Sequence, residues 1–442
     1  MENTQANFNA GRPRNPQEYH MHQLLSMMHD NLHQSSQLHQ NFLQLQAKNL
    51  EVIASGVGIS PPVTTEVTNR LPLINKSQLR EFGTGSIARC FGPAYAILDQ
   101  RKSPRIPNGD LLMIDRVMKI SAQRGYFDSP ASIFTEFDIP GDAWFIKENE
   151  YPGLPLGVLL EIALQPCGIL SAYIGTSLML PAEVNLFRNL DGKIRFVSLH
   201  QLTGKTVCTH AEMLSSVSAG GMNIQNYSFE LSCDGSTIAN GESSFGYFNP
   251  AVMDKQIGLD MTEKMQPHSG NLPSLDGLRD KHIIPLPKKS NTFSKPHLDV
   301  LDRLEFDEKG GKFGLGIIKG EKKLDGREWF YENHFFQDPV MPGSLGLETI
   351  IQGLWAYLKN SQTSAMDHNS AILFSHKEPL SWKYRGQVIP ANEMIYFEAH
   401  IKEKTILDRR LNLTCDADFW VDGIRIYAFQ EISLDMEEDK RV

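Results

Sequence analysis

Two apolar segments stand out from the alternation of polar and apolar positions along this chain. From Leu156 to Leu164 every residue except Glu161 is Gly, Ala, Leu, Ile or Val. A second, almost wholly apolar segment runs from Gly343 to Trp355 and carries Glu348. A helix that is apolar around its whole circumference is a buried one. The pattern therefore predicts two buried core helices, each with one carboxylate.

Short runs of alternating apolar and polar residues accompany each helix and are bounded by turn residues, which is typical of β-strands. These runs are Lys193–Leu199, Tyr227–Cys233 and Glu242–Phe248 in the first half, and Leu380–Tyr384, Met394–Ile401, Arg410–Cys415 and Ile424–Ile432 in the second. Both halves show the same order: an apolar strand, a hairpin return, a loop, the apolar helix and further strands.

The two halves are collinear copies of one domain. Three pairs lie 187 positions apart: Asp115 and Asp302, Glu161 and Glu348, Phe187 and Phe374. Farther along, the pairs Cys233 and Cys415, and Gly241 and Gly423, are separated by 182 positions, which we interpret as the loss of a few residues. Matches spread over most of each half predict a duplicated domain.

Four regions follow from this pattern. Residues 1–75 are predicted to be a Gln/His-rich extension and linker, with a helix over 17–54. The first copy of the domain is residues 76–250, and the second copy is residues 296–442. Residues 251–295 between them are predicted to be an irregular linker. His29 and His33 share one face of the predicted helix, but no carboxylate or cysteine completes a ligand set. We therefore predict no metal site.

Composition narrows the function classes. With 41% hydrophobic and 21% charged residues, the 442-residue chain is expected to be globular, and its net charge of −9 argues against non-specific nucleic-acid binding. No apolar run reaches the roughly 18 residues of a membrane helix, so no membrane span is predicted. The five cysteines form no C-x-x-C pair. They favour reduced thiols and a cytoplasmic location.

The carboxylates in the apolar helices are candidates for chemistry. Glu161 and Gln165 are four residues apart and share a helix face, and Glu348 and Gln352 repeat the arrangement. Burial raises the pKa of a carboxyl group, which makes it a plausible proton donor near neutral pH. A structural alternative stays open, in which the carboxylate anchors the neighbouring loop by hydrogen bonds.

His334 and Gly343 complete the candidate site. Histidine titrates near neutrality and suits proton abstraction, although a lone histidine is more often structural. Gly343 stands at the start of the second helix, where unpaired N–H groups and the helix dipole could hold a developing oxyanion.

The segment His334-Phe-x-x-Asp-Pro-Val-Met-Pro-Gly-x-Leu-Gly-Leu-Glu348 resembles the β-hydroxydecanoyl-acyl-carrier-protein dehydratase/isomerase of bacterial fatty-acid synthesis. The likeness covers about residues 110–435 and is stronger in the second half. Its tandem form and Gln/His-rich extension look like a dehydratase region of polyunsaturated-fatty-acid synthases. Those are large, multidomain, polyketide-synthase-like proteins, so this chain is expected to be one part of such a synthase.

The resemblance implies an α+β double hotdog, a pseudo-dimer in which each antiparallel sheet wraps one long helix. It implies that His334 meets Glu161 of the other half, with Gln165, Glu348 and Gln352 in supporting roles. The first-half counterpart of His334 is Asn149 when Trp144 and Trp329 are aligned, and Lys147 when Pro155 and Pro342 are aligned. Neither is a histidine, so the reciprocal site is expected to be inactive.

The implied reaction is dehydration of a 3-hydroxyacyl thioester to a 2-enoyl thioester. The substrate would arrive on the phosphopantetheine of an acyl carrier protein, with no other cofactor. A candidate basic docking patch for this carrier consists of Lys402, Lys404, Arg409 and Arg410. Further association of pseudo-dimers into a homo-oligomer is also open.

Two departures from the family pattern leave isomerisation of the double bond open. Glutamate stands where the isomerase usually has aspartate, and Asn333 stands where it usually has cysteine. Two other functions also remain: a hotdog acyl thioesterase, and a non-catalytic acyl-binding scaffold. The Asp338-Pro-Val-Met-Pro-Gly343 turn favours the dehydratase, and the pairing of His334 with Glu161 argues against a scaffold.

Overall fold

The computed structural model describes residues 71–127, 130–151, 153–180, 185–197, 202–219, 222–253, 258–260, 282–285, 297–360, 371–374, 378–407 and 410–437. The helix predicted over 17–54, with His29 and His33, lies outside the described residues. So does most of the predicted linker 251–295.

The described helices are α1 (Lys76–Thr84), α2 (Ile87–Phe91), α3 (Trp144–Lys147), α4 (Leu156–Ile174), α5 (Thr176–Met179), α6 (Pro250–Met253), α7 (Trp329–Asn333) and α8 (Gly343–Asn360), with short 3-10 helices at Pro93–Gln100 and Gly109–Leu111. The strands of the first half are β1 (Ile74–Asn75), β2 (Arg116–Ser121), β3 (Ala131–Asp138), β4 (Leu186–Phe196), β5 (Thr206–Ala219), β6 (Met222–Cys233) and β7 (Ser236–Phe248). The remaining strands are β8 (His282–Pro285), β9 (Arg303–Asp307), β10 (Ile317–Lys323), β11 (Ala371–Phe374), β12 (Leu380–Tyr384), β13 (Met394–Leu407), β14 (Arg410–Val421) and β15 (Ile424–Glu437).

The strands form one continuous antiparallel sheet with a pseudo-twofold order. The first half runs β1-β2-β3-β5-β6-β7-β4, and the second half continues β12-β15-β14-β13-β10-β9-β8, with β11 paired to β15 off this path. Each strand of the first half thus has a counterpart at the mirrored position of the second half. Each half-sheet packs on its own long helix, α4 or α8. This arrangement confirms the predicted double hotdog.

Helix α4 is the core of the first half, and its residues are buried along most of its length. Pro166 lies inside it and cannot donate a backbone hydrogen bond to the carbonyl of Ile162. The Thr209 hydroxyl on β5 donates to that carbonyl at 3.1 Å instead. Helix α4 is long and apolar enough to cross a membrane, and among the described helices it alone meets this criterion. In the fold, however, 72% of its apolar 18-residue window is buried.

The structure corrects the register of the duplication after the core helices. The hairpin turn between β6 and β7 is Asp234–Gly235, and the turn between β14 and β15 is Asp422–Gly423. Both turns have positive φ at both residues, with φ 51° and 76° in the first and 46° and 81° in the second. Asp422 follows Asp234 by 188 positions. The prediction that Cys415 matches Cys233 was therefore wrong, because turn geometry and not a repeated cysteine fixes the equivalence.

Two short strands lie outside the predicted copies. Ile74–Asn75 pairs with Arg116–Val117, just before the predicted boundary at residue 76. His282–Pro285 pairs with Arg303–Phe306, inside the segment predicted to be an irregular linker. Each strand forms one outer edge of the continuous sheet, and both were too short to show as periodic patterns.

The halves are joined where β4 pairs with β12. Gly192 faces Trp382 across this seam, and the Trp382 indole donates to Asn189 Oδ1 at 2.7 Å. A Cβ atom at Gly192 would lie 2.0 Å from the Trp382 ring. Glycine is therefore required at position 192, because the indole occupies the space of its side chain.

We expect Gly192→Val to destabilise the protein by about 1–3 kcal/mol or more, because the added side chain displaces Trp382 from the seam. Urea unfolding monitored by tryptophan fluorescence measures this change. Gly141→Ala is the control, since its Cβ would find only Thr203 Cγ2 at 3.9 Å. Equal stability of the two variants would contradict the role assigned to the seam.

Candidate active site

His334 caps the C-terminus of α7 and is held in one tautomer. Its backbone N–H donates to the Phe330 carbonyl at 2.8 Å, and its Nδ1 lies 2.9 Å from the Val340 carbonyl oxygen. A carbonyl can only accept a hydrogen bond, so Nδ1 carries the proton and Nε2 carries the lone pair. Burial, helped by Arg188, lowers the pKa of His334 to about 3 and outweighs the Val340 hydrogen bond. The imidazole is neutral at pH 7.

Glu161 reaches from α4 of the first half to the start of α8. Its Oε1 accepts a hydrogen bond from the Ser344 hydroxyl at 2.5 Å, and its Oε2 accepts one from Gln165 Nε2 at 2.8 Å. Gln165 is itself fixed by the Leu111 carbonyl and the Met113 N–H. Burial raises the pKa of Glu161, and the hydrogen bonds from Gln165 and Ser344 only partly offset this.

The segment Val340–Ser344 therefore holds both side chains. Val340 orients His334, and Ser344, four residues later, binds Glu161. The histidine belongs to one half and the acid to the other, which is the combination the sequence predicts. No direct hydrogen bond joins them among the described residues. Their catalytic roles remain predictions.

Arg188, on β4 of the first half, clamps the loop that carries His334. Its guanidinium binds both carboxylate oxygens of Asp338 at 2.7 and 2.8 Å and also donates to Gln387 Oε1. A bidentate arginine–carboxylate pair fixes orientation as well as distance. Sequence reasoning missed Arg188 and Ser344. Asp338, inside the quoted motif, was a signal that such a cation should exist, but nothing in the sequence identified which one.

The reciprocal site around Glu348 is filled by the first half. Glu348 is 0% exposed. Its carboxylate accepts hydrogen bonds from the Tyr151 hydroxyl at 3.0 and 3.1 Å, from the Gly157 N–H at 3.0 Å and from Gln352 at 2.7 Å. The Tyr151 hydroxyl also accepts from the Leu156 N–H at 3.1 Å. Glu348 thus binds two helix-start N–H groups, one of them through Tyr151, which is an anchoring arrangement.

The first-half counterpart of His334 can be identified from the helix ends. Glu148 caps α3 through its N–H to the Trp144 carbonyl, as His334 caps α7. It lies between the two sequence candidates, Lys147 and Asn149. Lys147 is exposed, whereas Asn149 accepts from Gln352 at 3.2 Å. A histidine is absent from all three positions.

The two lysines of the candidate docking patch bind other side chains of the fold. Lys402 pairs with Glu431 and with Asp416, and Lys404 Nζ donates to the Tyr357 hydroxyl at 2.9 Å. Arg409 lies outside the described residues, and Arg410 begins β14 with its side chain undescribed. A free basic surface at these four residues is not seen in the described part of the chain.

Comparison with known proteins identifies a matching family and a relative. Residues 293–430 match the FabA-like domain family. A polyunsaturated fatty acid synthase polypeptide of Thraustochytrium sp. is 31% identical over 382 residues, which cover 80% of this chain and 25% of that protein. The chain therefore spans about a quarter of the length of this relative. The family predicted from the histidine motif is confirmed.

Two solved structures resemble this chain in overall fold. One is a bifunctional dehydratase-cyclase domain in ambruticin biosynthesis, 10% identical, covering 72% of this chain and 94% of that chain with a TM-score of 0.37. The other is an acyl-ACP thioesterase from Bacteroides thetaiotaomicron, 11% identical, covering 68% of this chain and 97% of that chain with a TM-score of 0.37. The fold assignment rests on the strand order given above.

We expect Glu348 to make stability pH-dependent. Burial raises the pKa of Glu348 from 4.5 to about 7 in the folded protein, so the stability it contributes is full below pH 4.5 and is lost as the pH rises through 7. The difference in unfolding free energy between wild type and Glu348→Gln should fall by about 3 kcal/mol from pH 4.5 to pH 8. Urea titrations at several pH values measure it, with the exposed Glu230→Gln as control. A difference independent of pH would contradict this expectation.

Proposed function

Because residues 293–430 belong to the FabA-like domain family, we propose that this chain is a 3-hydroxyacyl thioester dehydratase. It removes water from a 3-hydroxyacyl thioester and releases a 2-enoyl thioester. One observation carries the proposal: the short segment Val340–Ser344 binds a neutral histidine of one half and a partly buried acid of the other. A general base and a general acid from separate elements are what this elimination requires.

His334 acts as the base. Its Nε2 lone pair takes the proton from the carbon next to the thioester carbonyl, and the electron pair moves toward the carbonyl oxygen. The Nδ1–H bond to Val340 keeps Nε2 as the accepting atom. Gly343, the first residue of α8, offers a backbone N–H to the developing oxyanion.

Glu161 acts as the acid. Its protonated carboxyl group gives a proton to the departing 3-hydroxyl group, which leaves as water while the electron pair forms the new double bond. Burial in α4 supports this role by raising the pKa of Glu161. Ser344 and Gln165 fix the two carboxyl oxygens, so the group presents a constant orientation to the substrate.

The proposal also covers how the substrate is carried and the larger protein in which the chain works. We propose that the substrate is carried on the phosphopantetheine of an acyl carrier protein, and that the chain works as one module of a larger synthase, as its relative's name suggests. All five cysteines are free thiols, which supports a reducing, cytoplasmic location. Isomerisation is not included, because Asn333 and the helix glutamate differ from the residues usual in the isomerase.

The pseudo-equivalent acids provide a matched test of the composite site. With 3-hydroxydecanoyl-pantetheine as substrate, we expect His334→Ala and Glu161→Gln each to lower kcat/KM by about 10²–10⁴-fold, because each removes one partner of the acid–base pair. Glu348→Gln, compared at a pH where it is folded, should retain activity. Enoyl absorbance measures turnover, and chromatography identifies the product.

Other outcomes select other functions. Release of free thiol without enoyl product would indicate a thioesterase, and acyl binding without turnover would indicate a scaffold. Loss of activity in Glu348→Gln with Glu161→Gln still active would overturn the assignment of the acid.

The pH profile should report Glu161 on its alkaline side. Activity requires neutral His334, present above about pH 3, and protonated Glu161, present below its raised pKa. We therefore expect kcat/KM to fall as the pH rises through the pKa of Glu161. In Ser344→Ala the alkaline limb should move to higher pH, since the Ser344 hydrogen bond lowers this pKa. An unmoved limb in Ser344→Ala would mean that another group titrates.

A further inference from the structure

Tyr384, the last residue of β12, lies against the start of α8. A Cβ atom at Gly343 would be 2.6 Å from Tyr384 Cε2 and 2.7 Å from Cζ, the atom that bears the hydroxyl. The phenol therefore sits directly beside Gly343. The next residue, Ser344, binds Glu161, so the phenol, the helix-start N–H and the acid share one small region.

The Tyr384 ring is fixed by its aromatic neighbours. Its centroid lies 4.6 Å from that of Tyr427 in an edge-to-face contact and 5.9 Å from that of Phe429. Tyr427 in turn packs on Gly346, one helical turn after Gly343. Packing of this kind selects one ring position, so the hydroxyl has a defined location relative to α8.

The Tyr384 hydroxyl has no hydrogen-bond partner among the described residues, although the residue is only 7% exposed. Two other buried tyrosines use theirs, since Tyr151 binds Glu348 and Tyr95 binds the Tyr173 carbonyl, whereas the Tyr331 hydroxyl also lacks a partner among the described residues. A hydroxyl that no protein group engages is available to donate to a bound ligand. A donor with no internal acceptor, held beside the start of α8, points to an acceptor on the substrate.

The hydroxyl stays a donor over the working pH range. Burial raises the pKa of Tyr384 well above its usual value, and the neighbouring Tyr427 and Glu161 raise it further. Proximity to Glu161 also agrees with the position inferred from Gly343. Two donors on one carbonyl oxygen form an oxyanion hole, and the Gly343 N–H alone provides only one.

We propose that the Tyr384 hydroxyl donates a hydrogen bond to the thioester carbonyl oxygen of the bound acyl chain, as the second donor beside the Gly343 N–H. The proposal rests on the proposed acyl-thioester function of this site. When His334 takes the C2 proton, the electron pair moves onto this oxygen, and both donors stabilise the resulting charge. Tyr384 is then a catalytic residue that sequence reasoning did not identify.

The test compares two ligands that differ only at the carbonyl. Isothermal titration measures the binding of S-decanoyl-pantetheine and of S-decyl-pantetheine, the thioether with CH₂ in place of C=O, to wild type and Tyr384→Phe. We expect Tyr384→Phe to weaken thioester binding by about 3–10-fold and to leave thioether binding unchanged. Tyr126→Phe, which alters an exposed tyrosine, should change neither. The folded stability of Tyr384→Phe should not fall, because the lost hydroxyl has no internal partner.

A second readout isolates proton abstraction. C2 hydrogen–deuterium exchange of S-decanoyl-pantetheine in D₂O, followed by NMR, needs the base and the oxyanion donors but no leaving hydroxyl. We expect exchange to slow by on the order of 10²-fold in Tyr384→Phe, and to persist in Glu161→Gln.

The outcomes separate this inference from the proposed function. Carbonyl-dependent binding through Tyr384 without dehydration by wild type would overturn the proposed function and leave this inference standing. Dehydration by wild type with equal thioester binding and equal exchange in Tyr384→Phe would overturn this inference alone. Failure of wild type to bind either ligand would overturn both.

Discussion

The close crossing of the two core helices is the constraint on which the rest of the molecule depends. A Cβ atom at Gly157 would lie 2.9 Å from the Ser344 carbonyl oxygen, so α4 and α8 meet almost backbone to backbone. At that distance a carboxylate on one helix reaches the first turn of the other. Glu161 meets Ser344, and Glu348 meets the Gly157 N–H. Both carboxylates thereby lie at the junction of the halves.

The two helix carboxylates, Glu161 and Glu348, have different surroundings. Around Glu161 the surrounding donors hold the carboxyl group but leave it partly exposed, and His334 is bound by the same short segment. Around Glu348 the Tyr151 hydroxyl and the Gly157 N–H engage the carboxylate, which is a buried anchor for the first-half loop. Two helices that share the Glu-x-x-x-Gln arrangement thus give a candidate reactive group in one place and a structural one in the other. The difference lies in a few loop residues.

The sequence was sufficient for the parts of the structure that repeat. The buried helices and the duplication follow from apolar patterning and repeated residues. The double hotdog and the pairing of Glu161 with the His334 side of the junction follow from the family resemblance that one long motif carries. Contacts between distant positions could not be predicted in this way. Arg188, Tyr151 and Tyr384 are ordinary residues of strands or loops, and their significance depends on which groups the fold places beside them. A repeated residue type also gave one wrong prediction. Cys233 and Cys415 were predicted to be equivalent, whereas the positive-φ turns show a different register of the two copies.

The joining of both halves in one chain has a consequence for how such a site can change. In a homodimer of identical protomers, every substitution appears twice, so a tyrosine that seals one site would seal both. Here Tyr151 occurs in one half alone, and the continuous sheet across β4 and β12 keeps the halves together regardless. A residue that fills the surroundings of Glu348 therefore leaves the surroundings of Glu161 unchanged. Two halves in one chain can therefore differ at equivalent positions, which two identical protomers cannot.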